Sequence, residues 1–387
     1  MFRSESSVSR PRILFVCRYD IVFFPPMQNL IELTSNEHAQ VTLVSNHTVT
    51  IKRFDMNLPE GVHQISLPIG NSAIRRVINS LRFSLVAIWQ ILFGNYSHLF
   101  VSGTSVYAIL LAAITRGITK RAFVEYDRSI PRRSLARLMD PILLSRLLNR
   151  GFAVIAPNDM RLNLLEQYCG YKLNKVALPN FPREYEFVHS PSKRAFDGRL
   201  KLYFHGTFVE NRVPLNLIEV LVRLQNVEFH IVPILPDYVG GDRYFKEFCQ
   251  HAEHVGVSSR LYFHDCREPA KLPALACRYD LGVAIFDDHK DVEKNMSSMW
   301  GASNKVTQYL AYGLVPLVAT SEKEMIQNLN AFAYFCDVTK IDDTVQLLNR
   351  VVSQWDDFQE RRLAGYNHAK QTWTFERAFQ SVKNLLI

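Results

Sequence analysis

The chain has 387 residues, 48% hydrophobic and 21% charged, with a formal net charge of +8. That length exceeds one ordinary core and predicts two domains, and the balance of apolar to charged residues excludes a disordered chain. Six scattered cysteines without a CxxC pair argue against zinc and a disulfide framework, and no apolar run reaches the roughly 18 residues that span a bilayer. In chain order, Met1–Arg10 is polar and lacks the apolar core of a signal peptide. Arg12–Cys17 reads as a short buried strand, Met27–Glu37 as a helix and Gln40–Ser45 as a second strand. Strands are predicted at His63–Leu67, His98–Ser102, Ala122–Glu125 and Ala153–Ala156, and helices at Ile74–Phe93, Val106–Arg116, Ser134–Asn149 and Met160–Cys169. Strands alternating with helices predict parallel βαβ units and a doubly wound sheet.

Pro179–Gly198, with Pro182 and Asp197-Gly198, breaks the alternation and reads as a linker. A second series follows, with strands Leu200–Phe204, Glu228–Val232, Leu261–Phe263, Leu281–Ile285 and Val315–Ala319. Its helices are Leu215–Leu224, Tyr244–Val255, Leu272–Cys277 and Lys305–Tyr312, then Thr344–Asn367 and Phe375–Leu386. The expected division is 1–181, a linker 182–199, 200–370, and a helical tail 371–387 packing back toward the first domain. Ligands of such open sheets bind beyond the carboxyl ends of the strands, here in the cleft between halves.

Neither half carries a GxGxxG after its first strand, which argues against NAD or FAD. The first such turn, Cys17–Pro26, is bulky and aromatic; it suits an amphiphilic or sugar acceptor, or packs the loop through Phe23 and Phe24. Ser303–Val318 reads as a polar loop, one short helix, a Gly turn and a buried strand. A cation and amide side chains at the helix start (Asn304, Lys305, Gln308) sit where free backbone N–H groups favour an anion. Gly313 fits the position after the helix, and Pro316 does not extend it.

This segment resembles the nucleotide-sugar diphosphate site of GT-B glycosyltransferases, whose fold is two Rossmann-like α/β domains with parallel sheets facing a cleft. His205–Arg212 resembles the family's phosphate turn, with Gly206 at the glycine and Arg212 at the cation, although Thr207 replaces the common Arg. The resemblance implies nucleotide-sugar contacts from Gly206, Arg212, Cys266, Arg267, Phe286, Ser303, Asn304, Lys305 and Gln308. Cys266 and Arg267 would lie by the base. The long polar loop Phe286–Ser303 would hold the sugar and close over it, or is a solvated loop. No metal is expected: Asp287-Asp288 is weak as a metal motif, and His264/Cys266 has no second ligand pair. No cofactor is expected either, the nucleotide sugar being a substrate.

Retaining family-4 enzymes place two glutamates where this chain has Trp300 and Gln308. Arg18–Asp20, Val101–Thr104 and Val124–Arg128, with Ser303–Pro316, resemble instead the xanthan-type membrane-associated glucuronosyltransferase. That resemblance implies Asp127 as general base, Lys305 and Gln308 on UDP, and Asp20, Ser102, Gly103 and Tyr126 on the acceptor side. Inverting transfer needs one carboxylate to take the acceptor proton while cations and helix N–H groups stabilise the leaving diphosphate. The other reading of Asp127 is an ion pair with Arg128 or Arg132.

Between Asn71 and Arg150 twelve Arg/Lys face three acids, a net +9, which points to an anionic partner or a solvated basic face. Ile74, Val77, Ile78, Leu81, Leu85, Ile88 and Leu92 follow helical spacing beside Arg75, Arg76 and Arg82. Such a basic amphipathic helix lies on an anionic membrane, or packs on a sheet with a basic outer face. No nucleic-acid motif is present. The expectation is a cytoplasmic glycosyltransferase, peripheral on the inner face of the plasma membrane. It would move a sugar from a UDP-sugar, with glucuronate suggested, to a polyprenyl-linked saccharide in exopolysaccharide synthesis. The alternatives are a retaining family-4-like transferase and a non-catalytic membrane- or polyanion-binding protein on the same scaffold.

Overall fold

The computed structural model describes residues 10–21, 24–37, 39–47, 58–68, 73–102, 106–125, 145–146, 148–187, 190–235, 241–266, 268–286, 300–319, 323–338 and 340–386. The chain divides into two compact units, residues 1–179 with 378–387, and residues 180–377.

The first unit runs β1 (Arg12–Asp20), α1 (Pro25–Asn36), β2 (Gln40–His47), β3 (Val62–Pro68), α2 (Ala73–Phe93), β4 (His98–Ser102), α3 (Val106–Thr115), β5 (Lys120–Val124), β6 (Phe152–Ala156), α4 (Asp159–Cys169) and β7 (Asn174–Ala177). Its strands form one sheet in the order β3-β2-β1-β4-β5-β6-β7, every pair parallel. Strands covered on both faces read as unbroken apolar runs. Accordingly every residue of β4 and β6 is buried. Helix α1 starts at Pro25, two residues before the sequence reading placed it. Proline suits a first turn, where its missing N–H has no intrahelical partner. The edge strand β7, Asn-Lys-Val-Ala, has too little apolar character to be read from sequence.

Helix α2 departs from the sheet-packing reading of its apolar stripe. Phe83, Ala87 and Ile91 are the buried residues that dock it on the sheet, with Val86 and Ile88 packed partly beside them. Ile74, Val77, Ile78, Leu81 and Leu85, most of the stripe, face solvent instead, joined by Trp89 and Phe93. The expected second basic helix, Ser134–Asn149, lies almost wholly outside the described residues.

The second unit runs β8 (Leu200–Thr207), α5 (Asn216–Arg223), β9 (Val227–Ile234), α6 (Gly241–His254), β10 (Leu261–Phe263), α7 (Leu272–Ala276), β11 (Leu281–Ile285), α8 (Asn304–Ala311), β12 (Val315–Ala319), α9 (Lys323–Leu329), β13 (Tyr334–Phe335), α10 (Ile341–Ser353), α11 (Trp355–Thr372) and α12 (Phe375–Lys383). Its sheet is again parallel, in the order β10-β9-β8-β11-β12-β13. Strand order reverses between β8 and β11, and crevices at such reversals are where open α/β sheets take ligands. The expected single helix Thr344–Asn367 is two, broken at Gln354 with neither Gly nor Pro there. At the start of α11 the Trp355 indole donates to the Arg194 carbonyl at 2.7 Å, and its ring packs on Phe196 and Phe358. That tertiary anchor has no local sequence mark. Helix α12 begins in the second unit and ends in the first, where Lys383 pairs with Glu37 at 2.8 Å and Ser381 donates to the Ala177 carbonyl.

Candidate functional site

Helix α8 follows directly from its sequence. The Ser303 hydroxyl caps the start by accepting from the Lys305 N–H, and Gly313 takes the left-handed conformation (φ 73°) that ends the helix. Leu314 N–H closes on the Tyr309 carbonyl at 2.8 Å, and Arg362 donates to the Gly313 carbonyl. On the inner face Tyr309, fully buried, donates its hydroxyl to the Val283 carbonyl of β11 at 3.1 Å. The first turn of α8 is thereby fixed beside the carboxyl ends of β8 and β11.

Lys305 reaches the carboxyl end of β8. A Cβ on Gly206 would stand 2.8 Å from Lys305 Cε and 3.1 Å from Nζ, and Gly206 sits at φ 121°, so only glycine fits without displacement. Arg212 approaches from the segment that follows β8, donating to the Ile285 carbonyl at 3.3 Å while its guanidinium lies 5.4 Å from the Phe286 ring centroid. Burial, and then the Arg212 charge, push the Lys305 ammonium down to about 7. No described carboxylate forms an ion pair with that ammonium. Two cations thus converge on a glycine and a helix start, an arrangement whose chemistry suits a compact anion.

Gln308 stands one turn further along α8 with both ends of its amide engaged. Nε2 donates to Glu186 Oε2 at 2.9 Å, and Oε1 accepts from His205 Nε2 at 3.3 Å. Glu186 is buried and also accepts from the Tyr312 hydroxyl at 2.8 Å and from the Arg183 N–H at 2.9 Å. Burial pushes its carboxyl up; these three hydrogen bonds pull it back. His205 is held neutral, its pKa lowered to about 3 by burial and then by Lys305. Since Gln308 Oε1 accepts, the imidazole proton is on Nε2, and Nδ1 is a buried acceptor without a partner.

Gly206, Arg212, Phe286, Ser303, Lys305 and Gln308 are thus brought together, with Asn304 half-exposed at the helix start. Cys266 follows the edge strand β10, its thiol directed at the Glu268 carbonyl. In the first unit Ser102 and Cys17 are paired in register at the carboxyl ends of β4 and β1, and Ser102 is buried. The backbone of Asp20 closes β1, but its side chain lies outside the described part. Asp127, Tyr126, Gly103, Arg267 and the loop residues 287–299 lie outside the described residues altogether. Among the described residues, no cluster of His, Cys, Asp and Glu is placed to hold a metal. The sequence reading did not single out His205, Glu186 or Tyr312. The aromatic and acidic residues give no motif, and Glu186 sits in a segment read as linker.

The sequence matches no known family model, and no curated protein is similar to it in sequence. In three dimensions the chain is similar to HepE from Anabaena, solved in complex with UDP: 13% identity, TM-score 0.70, over 97% of this chain and 99% of that one. It is likewise similar to a glycosyltransferase from Rickettsia africae, at 10% identity and TM-score 0.73 over 98% of both chains. Sucrose-phosphate synthase from Thermosynechococcus elongatus aligns at 8% identity and TM-score 0.70, over 97% of this chain and 98% of that one. At these identities the likeness shows the fold, the two Rossmann-like α/β domains of GT-B glycosyltransferases.

Proposed function

We propose that the protein is a glycosyltransferase that takes a sugar from a UDP-sugar and passes it to a lipid-linked saccharide. The observation that carries this reading is the pair of cations, Lys305 and Arg212, converging on Gly206 where the strand order reverses. A diphosphate brings negative charge to both cations, and the first N–H groups of α8 add donors. Support for UDP comes from neighbours of the same fold that were solved with UDP or UDP-2-fluoro glucose.

In the proposed reaction Asp127 takes the proton of the acceptor hydroxyl as it attacks the anomeric carbon. Lys305, Arg212 and the α8 N–H groups stabilise the charge that gathers on the departing diphosphate. Gln308, with its amide fixed by Glu186 and His205, keeps the first two turns of α8 in place beneath them. No covalent intermediate is involved, and the anomeric centre inverts. Glucuronate as the sugar, exopolysaccharide as the product and a peripheral position on the inner face of the plasma membrane belong to the same proposal. They rest on the resemblance to the xanthan-type glucuronosyltransferase and on the basic segment 71–150.

A thermal-shift screen of nucleotides and nucleotide sugars tests the donor half, because a ligand of the folded state raises its melting temperature by mass action. UDP and one UDP-sugar are expected to raise it. Absence of any shift with uridine nucleotides would remove the donor assignment.

A further inference from the structure

We propose that helix α2 docks the protein on a lipid bilayer by lying in the interface plane with an apolar ridge among the acyl chains. This deepens the membrane part of the reading above and is separate from the transfer chemistry. Ile74, Val77, Leu81, Leu85, Trp89 and Phe93 run along one side of α2 at helical spacing, and each is between 61% and 75% exposed. The ridge is roughly 30 Å long at 1.5 Å rise per residue. It is not a displaced core face, because the opposite side, Phe83, Ala87 and Ile91, already docks the helix on the sheet. No described residue covers the ridge. A continuous apolar surface of this kind marks an interaction site.

Charge and composition select the occupant. Helix α2 has no acidic residue, and Arg75 and Arg82 are exposed on it. The surrounding segment 71–150 carries a net +9. Cations flanking an apolar stripe match anionic headgroups above acyl chains. Trp89 and Phe93, with ring centroids 4.2 Å apart, give one end of the ridge the aromatic pair that favours the headgroup boundary. No helix among the described residues is long and apolar enough to cross a membrane, so α2 lies on the bilayer and does not traverse it.

The test uses the full chain with vesicles of phosphatidylcholine containing phosphatidylglycerol, in co-sedimentation at low and high salt. Exposed charges are screened within about 3 Å at 1 M salt, so only the apolar contact survives there. Wild-type protein is expected to keep part of its binding at high salt. Leu81→Gln with Leu85→Gln is expected to lower partition by on the order of a hundredfold, roughly tenfold per leucine withdrawn from the acyl region. Its melting temperature and UDP affinity should not change, since both residues are exposed and in the first unit. Brominated acyl chains should quench tryptophan fluorescence in wild type and much less in Trp89→Phe. Undiminished partition of the double variant, or complete loss of wild-type binding at high salt, would overturn the proposal. So would self-association without lipid that the double variant abolishes, which would assign the ridge to a second copy of the chain. Failure of vesicle binding with UDP binding intact sinks this inference alone; failure of UDP binding sinks the donor assignment alone.

Discussion

The Gln308 side chain donates to Glu186 Oε2 at 2.9 Å and at its other end accepts from His205, so one amide joins the segment before β8, the carboxyl end of β8, and α8. Its orientation follows from chemistry. The three donors around Glu186 (Gln308, Tyr312 and the Arg183 N–H) are matched by carboxylate oxygens. The amide oxygen is therefore left for the imidazole. Helix α8 is held by a polar network as well as by its apolar face.

Removing Glu186 should expose the cost of that network. Glu186→Ala takes the acceptor from two buried donors, the Tyr312 hydroxyl and the Arg183 N–H, and from the half-buried Gln308 amide, and a loss of about 1–3 kcal/mol of stability is expected, from unsatisfied buried hydrogen-bonding groups. Glu186→Gln keeps one acceptor oxygen and should recover part of it. Urea denaturation of both variants measures the difference. Equal stability of wild type and Glu186→Ala would mean that the network contributes nothing.

Gly206→Ala is expected to damage the site directly. The new Cβ meets Lys305 Cε at 2.8 Å and the backbone at φ 121° disfavours any side chain. A destabilisation of about 1–3 kcal/mol, the range for strained backbone conformations, should accompany weaker UDP binding. Thermal melts and calorimetry read the two effects separately.

Lys305→Ala should weaken UDP binding by about 1.5–3 kcal/mol, the range for hydrogen bonds to charged groups. Its ammonium, lowered from 10.5 to about 7, also gives binding a pH dependence. A bound diphosphate favours the charged form, so UDP binding above pH 7 should draw in a proton and weaken as pH rises. Calorimetry in buffers of different ionisation enthalpy detects that proton, and Lys305→Ala should abolish it. Stability moves the opposite way. Between pH 7 and 10.5 the unfolded chain holds this proton and the folded chain sheds it, so folding gains as pH rises through that window. Lys305→Met should accordingly be more stable than wild type below pH 7, with the gap closing toward pH 10.5.

Asp127→Asn keeps shape and removes proton acceptance. A fall in kcat of roughly 10²–10⁴-fold is expected for loss of a general base, with donor affinity nearly unchanged. Steady-state assays with the UDP-sugar found in the screen check it. Near-normal turnover would move the base elsewhere, with Asp20 next to be tested.

By itself the sequence determined the alternation of strands and helices and the anatomy of α8. Unbroken apolar runs such as Ile13–Cys17 and Leu281–Ile285 can be only buried parallel strands, and Ser303 and Gly313 mark the helix ends through local backbone chemistry. Tertiary structure alone decided what meets what. Glu186 finds Gln308 across 122 residues, and the break at Gln354 comes beside a tryptophan anchored on Arg194; neither contact leaves a periodicity to read. The face by which α2 packs was hidden for a related reason. Apolar residues surround that helix on nearly every side, so spacing could identify a stripe but not whether the sheet or the solvent would receive it. Only the position of the sheet against Phe83, Ala87 and Ile91 settled that choice, and it left Leu81, Leu85 and Trp89 outside.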